Sequence, residues 1–239
     1  MKKDITILHL YPRDMNIYGD HGNILVLKRR LEQYGYRADV IEYNPGDTLP
    51  KQIDIIVGGG GQDSGQTKIH DDLLKISPKL KELAKQGTPM LMVCGMYQLF
   101  GKVFITAEKE EIIGIGIFDA ETHAGKERLV GNIVVDSSEF GQIIGYENHS
   151  GQTYLGATKP LATVIKGAGN NVKDGHEGAR YKNVIGTYLH GSLLPKNPKI
   201  ADFLIKTAAV NRYGSWDNNK KIDDRVALKA RQVALKRPR

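Results

Sequence analysis

The chain has one cysteine, Cys94, and its surroundings make it a candidate nucleophile. It closes an apolar run, Met90-Leu91-Met92-Val93. Gly95 and a helix-like stretch, Met96-Tyr97-Gln98-Leu99-Phe100, follow it. A tight strand-to-helix turn lifts a nucleophile above a sheet, and the first N–H groups of the helix stabilise a thiolate or hold an oxyanion. A plainer reading stands beside this one: free cysteines are among the most buried residues, and one behind an apolar run is ordinary core. Cysteine catalysis also needs a base within hydrogen-bond reach. His190 ends a second apolar run, 184–189, and precedes Gly191, so it would sit at the carboxyl end of a neighbouring strand. His149, in Glu147-Asn148-His149-Ser150-Gly151, is its competitor.

Gly58-Gly59-Gly60-Gly61 follows a third apolar run, 53–57. Glycines there let the backbone approach a ligand and aim N–H groups at developing negative charge. With Gly95, the Gly59-Gly60 stretch is therefore a candidate oxyanion hole. Residues 60–67 also imitate a phosphate loop, but Gln66 stands where the phosphate-binding lysine is required, which argues against nucleotide binding. A flexible surface loop is the plain alternative. No His-Glu-x-x-His or paired-cysteine pattern exists, and no metal is expected. His21 beside Asp20, and His70 beside Asp71 and Asp72, read as solvated turn residues.

The elements that must position these groups are legible as alternation. Strands are expected at 5–11, 38–43, 53–57 and 90–93. Helices are expected at 23–34, with Asn23 as cap and Gly35 as stop, and at 71–86, with a kink or break at Pro78. Apolar strands without period-two patterning, alternating with helices, predict an α/β fold: a central, mostly parallel sheet flanked by helices. Ligands bind beyond the carboxyl ends of such strands, where Cys94, His190 and the glycine run all fall. From about residue 112 the pattern changes to short segments (112–118, 129–135, 143–146, 162–165) that read as hairpins or mixed strands. Helices are expected again at 199–210 and 223–235. The organisation predicted is one domain, 4–210, and a basic C-terminal tail, 211–239, with helical periodicity.

With 239 residues, 40% hydrophobic and 26% charged, the chain can bury one sizeable core. One cysteine excludes an internal disulfide and fits a reducing, cytoplasmic compartment. Neither a signal peptide nor a span of about 20 apolar residues is visible. The net charge of +7 is concentrated at the end, where Lys220, Lys221, Arg225, Lys229, Arg231, Lys236, Arg237 and Arg239 face only Asp223 and Asp224. Such a tail is solvated, or docks on an acidic partner or an anionic membrane surface. The absence of aromatics from 220–239 argues against nucleic acid.

A strand–glycine loop, a strand–cysteine elbow and a strand–histidine, in this order, resemble class I glutamine amidotransferase domains. Cys94-Gly95-Met96-Tyr97-Gln98 and Gly186-Thr187-Tyr188-Leu189-His190-Gly191 are similar to the words of the cobyric-acid-synthase-like subgroup. Residues 16–23, 128–132 and 145–154 resemble its stand-alone GatD type, and the likeness covers about 4–210. The resemblance implies a glutaminase in which Cys94 attacks glutamine, His190 is general acid and base, Arg128 grips the substrate carboxylate, and Gln98 binds substrate or packs the helix. It implies no cofactor in this chain. The ammonia would go to a Mur-ligase-like synthetase of the MurT type, forming a heterodimer that uses ATP and magnesium to amidate D-glutamate of lipid II. The alternatives are a glutaminase serving another synthetase, of the cobyric-acid type, and a non-glutaminase cysteine hydrolase. Two positions depart from the class: Met96 replaces a usual glycine, and Ser192 replaces the usual glutamate two residues after the histidine. A Cys-His dyad is therefore expected, its histidine oriented by another acceptor, with Glu147 the candidate in this chain.

Overall fold

The computed structural model describes residues 3–216 and 220–238; Arg239, the last base of the tail, lies outside them. One sheet has the strand order β11-β12-β4-β3-β1-β2. It is built from β1 (Asp4–Leu10), β2 (Arg37–Tyr43), β3 (Ile55–Gly58), β4 (Met90–Val93), β11 (Ala179–Tyr181) and β12 (Val184–Thr187). All its pairings are parallel except the edge strand β11 on β12. Every residue of β3, β4 and β12 is buried, which explains their unbroken apolar runs: a parallel sheet is covered on both faces.

The helices differ instructively from the expected spans. Helix α1 (His21–Gln33) begins two residues before Asn23. Asn23 is not its cap; its side-chain oxygen accepts the N–H of Leu194 instead. Helix α2 (Asp63–Gln86) begins directly after the glycine run and continues through Pro78. Its apolar face, Ile69, Leu73, Ile76, Leu80 and Leu83, keeps helical spacing throughout, so burial of that stripe outweighs the local cost of the proline. Gly87 ends it at φ 88°, a left-handed conformation that glycine adopts without a Cβ clash. The short α3 (Gly95–Leu99) follows Cys94.

The irregular middle of the sequence forms a second sheet, mostly antiparallel, of order β10-β9-β7-β5-β6 with β8 on β7. Its strands are β5 (Val103–Ile105), β6 (Glu111–Ile113), β7 (Ala120–Ser137), β8 (Gly141–Leu155), β9 (Ala162–Lys166) and β10 (His176–Glu177). The long β7–β8 hairpin loses register between Ala124 and Leu129, which places Arg128 at the irregularity. The hairpin reaches the first sheet through an isolated bridge. The N–H of His190 donates to the carbonyl of Tyr146 at 2.8 Å, and the Tyr146 N–H returns to His190 at 3.3 Å.

Helices α4 (Leu193–Lys196), α5 (Pro198–Tyr213) and α6 (Arg225–Leu235) close the chain. No residue of α6 is buried. It is nevertheless attached to the domain: Arg231 donates to Asn197 Oδ1 at 2.8 Å and to the Gln142 carbonyl. Arg30 on α1 is the stronger fastening. Its Nε and Nη2 grip both oxygens of Asp202 on α5 at 2.8 and 2.7 Å, and it also pairs with Asp224 just before α6. The guanidinium is 7% exposed, so removing it leaves two carboxylates without their cation. Arg30→Ala should therefore lower the free energy of unfolding by about 2 kcal/mol, discounted because both carboxylates keep some water contact. Urea unfolding followed by circular dichroism checks this, and a change below about 0.5 kcal/mol would show the cluster to be ornamental.

Candidate active site

Cys94 sits where β4 turns into α3, with φ 51° and ψ −108°. A non-glycine residue there is strained, and such strain marks a nucleophile elbow, although Cys94 itself is buried. The Cys94 N–H is anchored on the Thr187 carbonyl of β12 at 2.8 Å. The next residue must be small. A Cβ on Gly95 would fall 2.8 Å from Met15 Cε and 3.1 Å from the Gly61 nitrogen. Met96 is fully buried, and a Cβ on Gly58 would lie 2.9 Å from Met96 Cγ. The bulk introduced at Met96 is thus accommodated by a glycine on β3, and the elbow keeps its shape.

His190 follows β12 and is fully buried. Its Nδ1 lies 3.2 Å from Asp20 Oδ1, and the other Asp20 oxygen accepts the N–H of Gly60 at 2.7 Å. Asp20 is only 1% exposed, so the reading of it as a solvated turn residue is wrong. Glu147 does not orient His190: its carboxylate accepts the N–H groups of Ala168 and Gly169 at 3.0 Å. Burial by itself would depress the His190 pKa. The adjacent Cys94 sulphur and Asp20 outweigh it and push the value up to about 10. Nε2 has no strict hydrogen-bond partner, although a Cys94 side-chain hydrogen bond contributes to that rise. The Cys94 sulphur and His190 thus interact without a fixed hydrogen bond at Nε2, a looseness common before substrate arrives.

The competitor, His149, is excluded as the base. Its ring stacks on Tyr188 at 3.6 Å and 7°, and Nδ1 faces the Gly151 carbonyl at 2.8 Å. Burial lowers its pKa to about 3, so it remains neutral. A group whose conjugate acid is that strong is a poor base and has no proton to give near pH 7.

Cys94 opens into a cavity of about 360 Å³, within the range of small-ligand sites. Gly61, Asp63, Gln98, Arg128, Asn148 and His149 help to line it. Of the expected oxyanion donors, Gly95 begins α3 beside Cys94. Gly59 and Gly60 are not among the residues that line the cavity. A Cβ on Gly59 would meet the Met15 carbonyl at 2.5 Å, and one on Gly60 would meet His190 Cε1 at 2.7 Å. The Gly60 N–H is already donated to Asp20, and Gly61 is the loop residue that lines the cavity. Gln98 is buried with both amide ends engaged. Its Nε2 donates to Tyr188 at 3.1 Å, and its Oε1 accepts from Gln66 at 2.9 Å. Gln66, the residue standing where a phosphate-loop lysine would be, is therefore internal to this network. Arg128 stands at the mouth. Its Nε donates to Asn148 Oδ1 at 2.6 Å, and its Nη2 to the Tyr18 hydroxyl at 2.8 Å. Burial, then Glu108, raise the pKa of Asp63, with Arg128 opposing them. Among the described residues, no cluster of three or more His, Cys, Asp or Glu could hold a metal ion.

Sequence reasoning missed Asp20, Asp63, Asn148 and Tyr18. Asp20, Tyr18 and Asn148 fall inside the words that carried the family resemblance, the one signal that pointed toward them. Nothing in the spacing of Asp63 distinguishes it from a helix-start acid.

Residues 6–198 match the family described as CobB/CobQ-like glutamine amidotransferase domain. The subunit GatD of lipid II isoglutaminyl synthase (glutamine-hydrolyzing) from Staphylococcus aureus is 40% identical over 98% of this chain and 96% of its own. The corresponding GatD of Streptococcus pneumoniae is 37% identical over 88% of this chain and 82% of its own. A solved glutamine amidotransferase has the same fold, with a TM-score of 0.61 at 15% identity, covering 85% of this chain and 99% of that one.

Two neutral, buried histidines give this fold a defined acid sensitivity. Burial, then His21, lower His9 to about 4, and His149 falls to about 3, both from an ordinary 6.5. Below 6.5 the unfolded chain takes up protons that the folded chain refuses, so their contribution is complete above 6.5 and is lost as pH falls toward 4 and 3. Each site steepens the fall by about 1.4 kcal/mol per pH unit. Urea unfolding at a series of pH values should show a decline from pH 6.5 to 4 that is shallower in His149→Gln than in the parent. Equal slopes would mean that His149 titrates normally.

Proposed function

This chain belongs to the CobB/CobQ-like glutamine amidotransferase family, and on that premise we propose that it is the glutaminase subunit of a lipid II isoglutaminyl synthase. It hydrolyses glutamine to glutamate and ammonia. The ammonia passes to a Mur-ligase-like partner of the MurT type, which uses ATP and magnesium to activate and amidate D-glutamate of the peptidoglycan stem peptide. The observation that carries the reading is the strained Cys94 elbow beside a buried His190 held by Asp20, with Arg128 at the mouth of the pocket.

The residues divide the work. Arg128 holds the α-carboxylate of glutamine through paired N–H groups, and Asp63, lining the same pocket, takes the α-ammonium. The Cys94 sulphur attacks the side-chain carboxamide carbon. Negative charge develops on its oxygen, and the backbone N–H groups of Gly95, which follows Cys94, and of Gly61, which lines the cavity, receive it. Gly60 is not free for this, having its N–H on Asp20. His190 gives its proton to the departing nitrogen, then draws a proton from the water that opens the thioester. Asp20 fixes the tautomer: with Nδ1–H held on the carboxylate, Nε2 is the nitrogen turned to the chemistry. No helix among the described residues is long and apolar enough to cross a membrane, and the lipid-linked acceptor is assigned to the partner's site.

The direct test is intact-mass analysis of the chain, alone and with its synthetase partner, after exposure to a diazo-ketone analogue of glutamine. A single adduct on Cys94, suppressed by excess glutamine, is expected. No adduct in either preparation would refute the reading. Kinetics then apportion the roles. Cys94→Ala should abolish glutamine hydrolysis with an unchanged circular-dichroism spectrum. Arg128→Ala should act mainly on KM. Asp20→Asn should lower kcat by about a hundredfold, the lower end of what a positioned acid–base group supplies.

A further inference from the structure

Tyr18 lies in a single 3-10 turn, Ile17–Gly19, with φ 56° and ψ 22°. A tyrosine in the left-handed region is uncommon and strained, and it persists only where surrounding contacts hold it. The turn is fastened on both sides. The Ile17 N–H donates to the Gly60 carbonyl at 3.1 Å, the His21 N–H to Asn16 Oδ1 at 2.8 Å, and the Ser192 hydroxyl to the Gly19 carbonyl. The side chain is held by two functional groups. Its ring stands edge-on to His190 at 5.0 Å, and its hydroxyl accepts from Arg128 Nη2 at 2.8 Å. Tyr18 is 44% exposed, so its own burial does not account for this position.

The donors of Arg128 define what that contact does. A guanidinium has one N–H on Nε and two on each of Nη1 and Nη2. Asn148 occupies the edge formed by Nε and Nη2, at 2.6 Å through its side chain and 3.4 Å through its carbonyl. The edge left for a carboxylate is the one formed by Nη1 and Nη2, and the Nη2 donor on it is the one given to Tyr18. A paired grip on a carboxylate therefore requires the phenol to leave. We propose that Tyr18 is a positioning residue: it occupies the carboxylate seat of Arg128 in the empty site and yields it to the α-carboxylate of an incoming ligand. This rests on the glutaminase reading of the same pocket. A carboxylate bears full charge and offers two acceptors, so it displaces the single phenol oxygen, whereas a neutral amide gains too little to do so. Because the same ring stands against His190, displacement also couples occupation of Arg128 to uncovering of the base.

The test uses the full chain carrying Cys94→Ala, which cannot turn over its ligand, with and without Tyr18→Phe. Binding of L-glutamine and of L-glutamine amide, which lacks the α-carboxylate, is measured by titration calorimetry near neutral pH. Tyr18→Phe keeps the ring and removes the competing acceptor. Glutamine should bind about three- to tenfold more tightly, the worth of one hydrogen bond no longer broken, and the amide should gain nothing. Unchanged or weaker glutamine binding would overturn the proposal while leaving the glutaminase reading in place, as would an equal gain for both ligands, which would indicate a general loosening of the turn. Failure of glutamine to bind either protein would overturn both.

Discussion

One buried carboxylate holds the site together. Asp20 sits at the start of α1, yet its two oxygens are spent on the Nδ1 of His190 and on the N–H of Gly60. Each of those partners comes from the carboxyl end of a different strand. A buried carboxylate is costly unless both oxygens are satisfied, so the arrangement tolerates little displacement of any of the three segments. The base, the glycine loop and the first helix thus share one geometry. A Cβ on Gly60 would collide with the His190 ring, so the absence of a side chain there is part of the same constraint.

The rest of the molecule supplies rigidity around that centre. The second sheet does more than extend the fold, since β8 pins the backbone of His190 through Tyr146. Below the pocket, Tyr188 accepts from Gln98 and bonds Thr153 at 2.6 Å, while Gln98 accepts from Gln66. This network fixes the floor on which Cys94 stands. Gln66, which stands where a phosphate loop needs its lysine, is turned inward onto Gln98, and the loop's glycines are packed against Met15, Asp20 and His190.

Much of the fold was legible because strands, helices and their stops are written in short stretches of sequence. The runs before Gly58, Cys94 and His190 became buried parallel strands, and the change of pattern after residue 112 became a second, mostly antiparallel sheet. The misreadings occurred where a long-range partner overrides local preference. Asn23 looks like a helix cap but is consumed by Leu194, and α2 passes through Pro78 because its apolar stripe continues beyond it. Met96 departs from the family's usual glycine, and only the packing against Gly58 shows how it fits.

The sequence by itself marked Cys94, His190 and the glycine loop as candidates, because each stands at the end of an apolar run beside glycine. Those are signals between neighbours in the chain, fixed by backbone sterics and side-chain burial. Only the tertiary structure decided that Asp20, 170 residues from His190, orients it, and that Glu147 is spent on Ala168 and Gly169. It alone placed Tyr18 on the donor that Arg128 would offer a carboxylate, 110 residues away. Such pairings leave no periodicity in the sequence. They arise when packed strands and helices bring charged and polar groups to one point, where burial makes every unpaired donor or acceptor expensive.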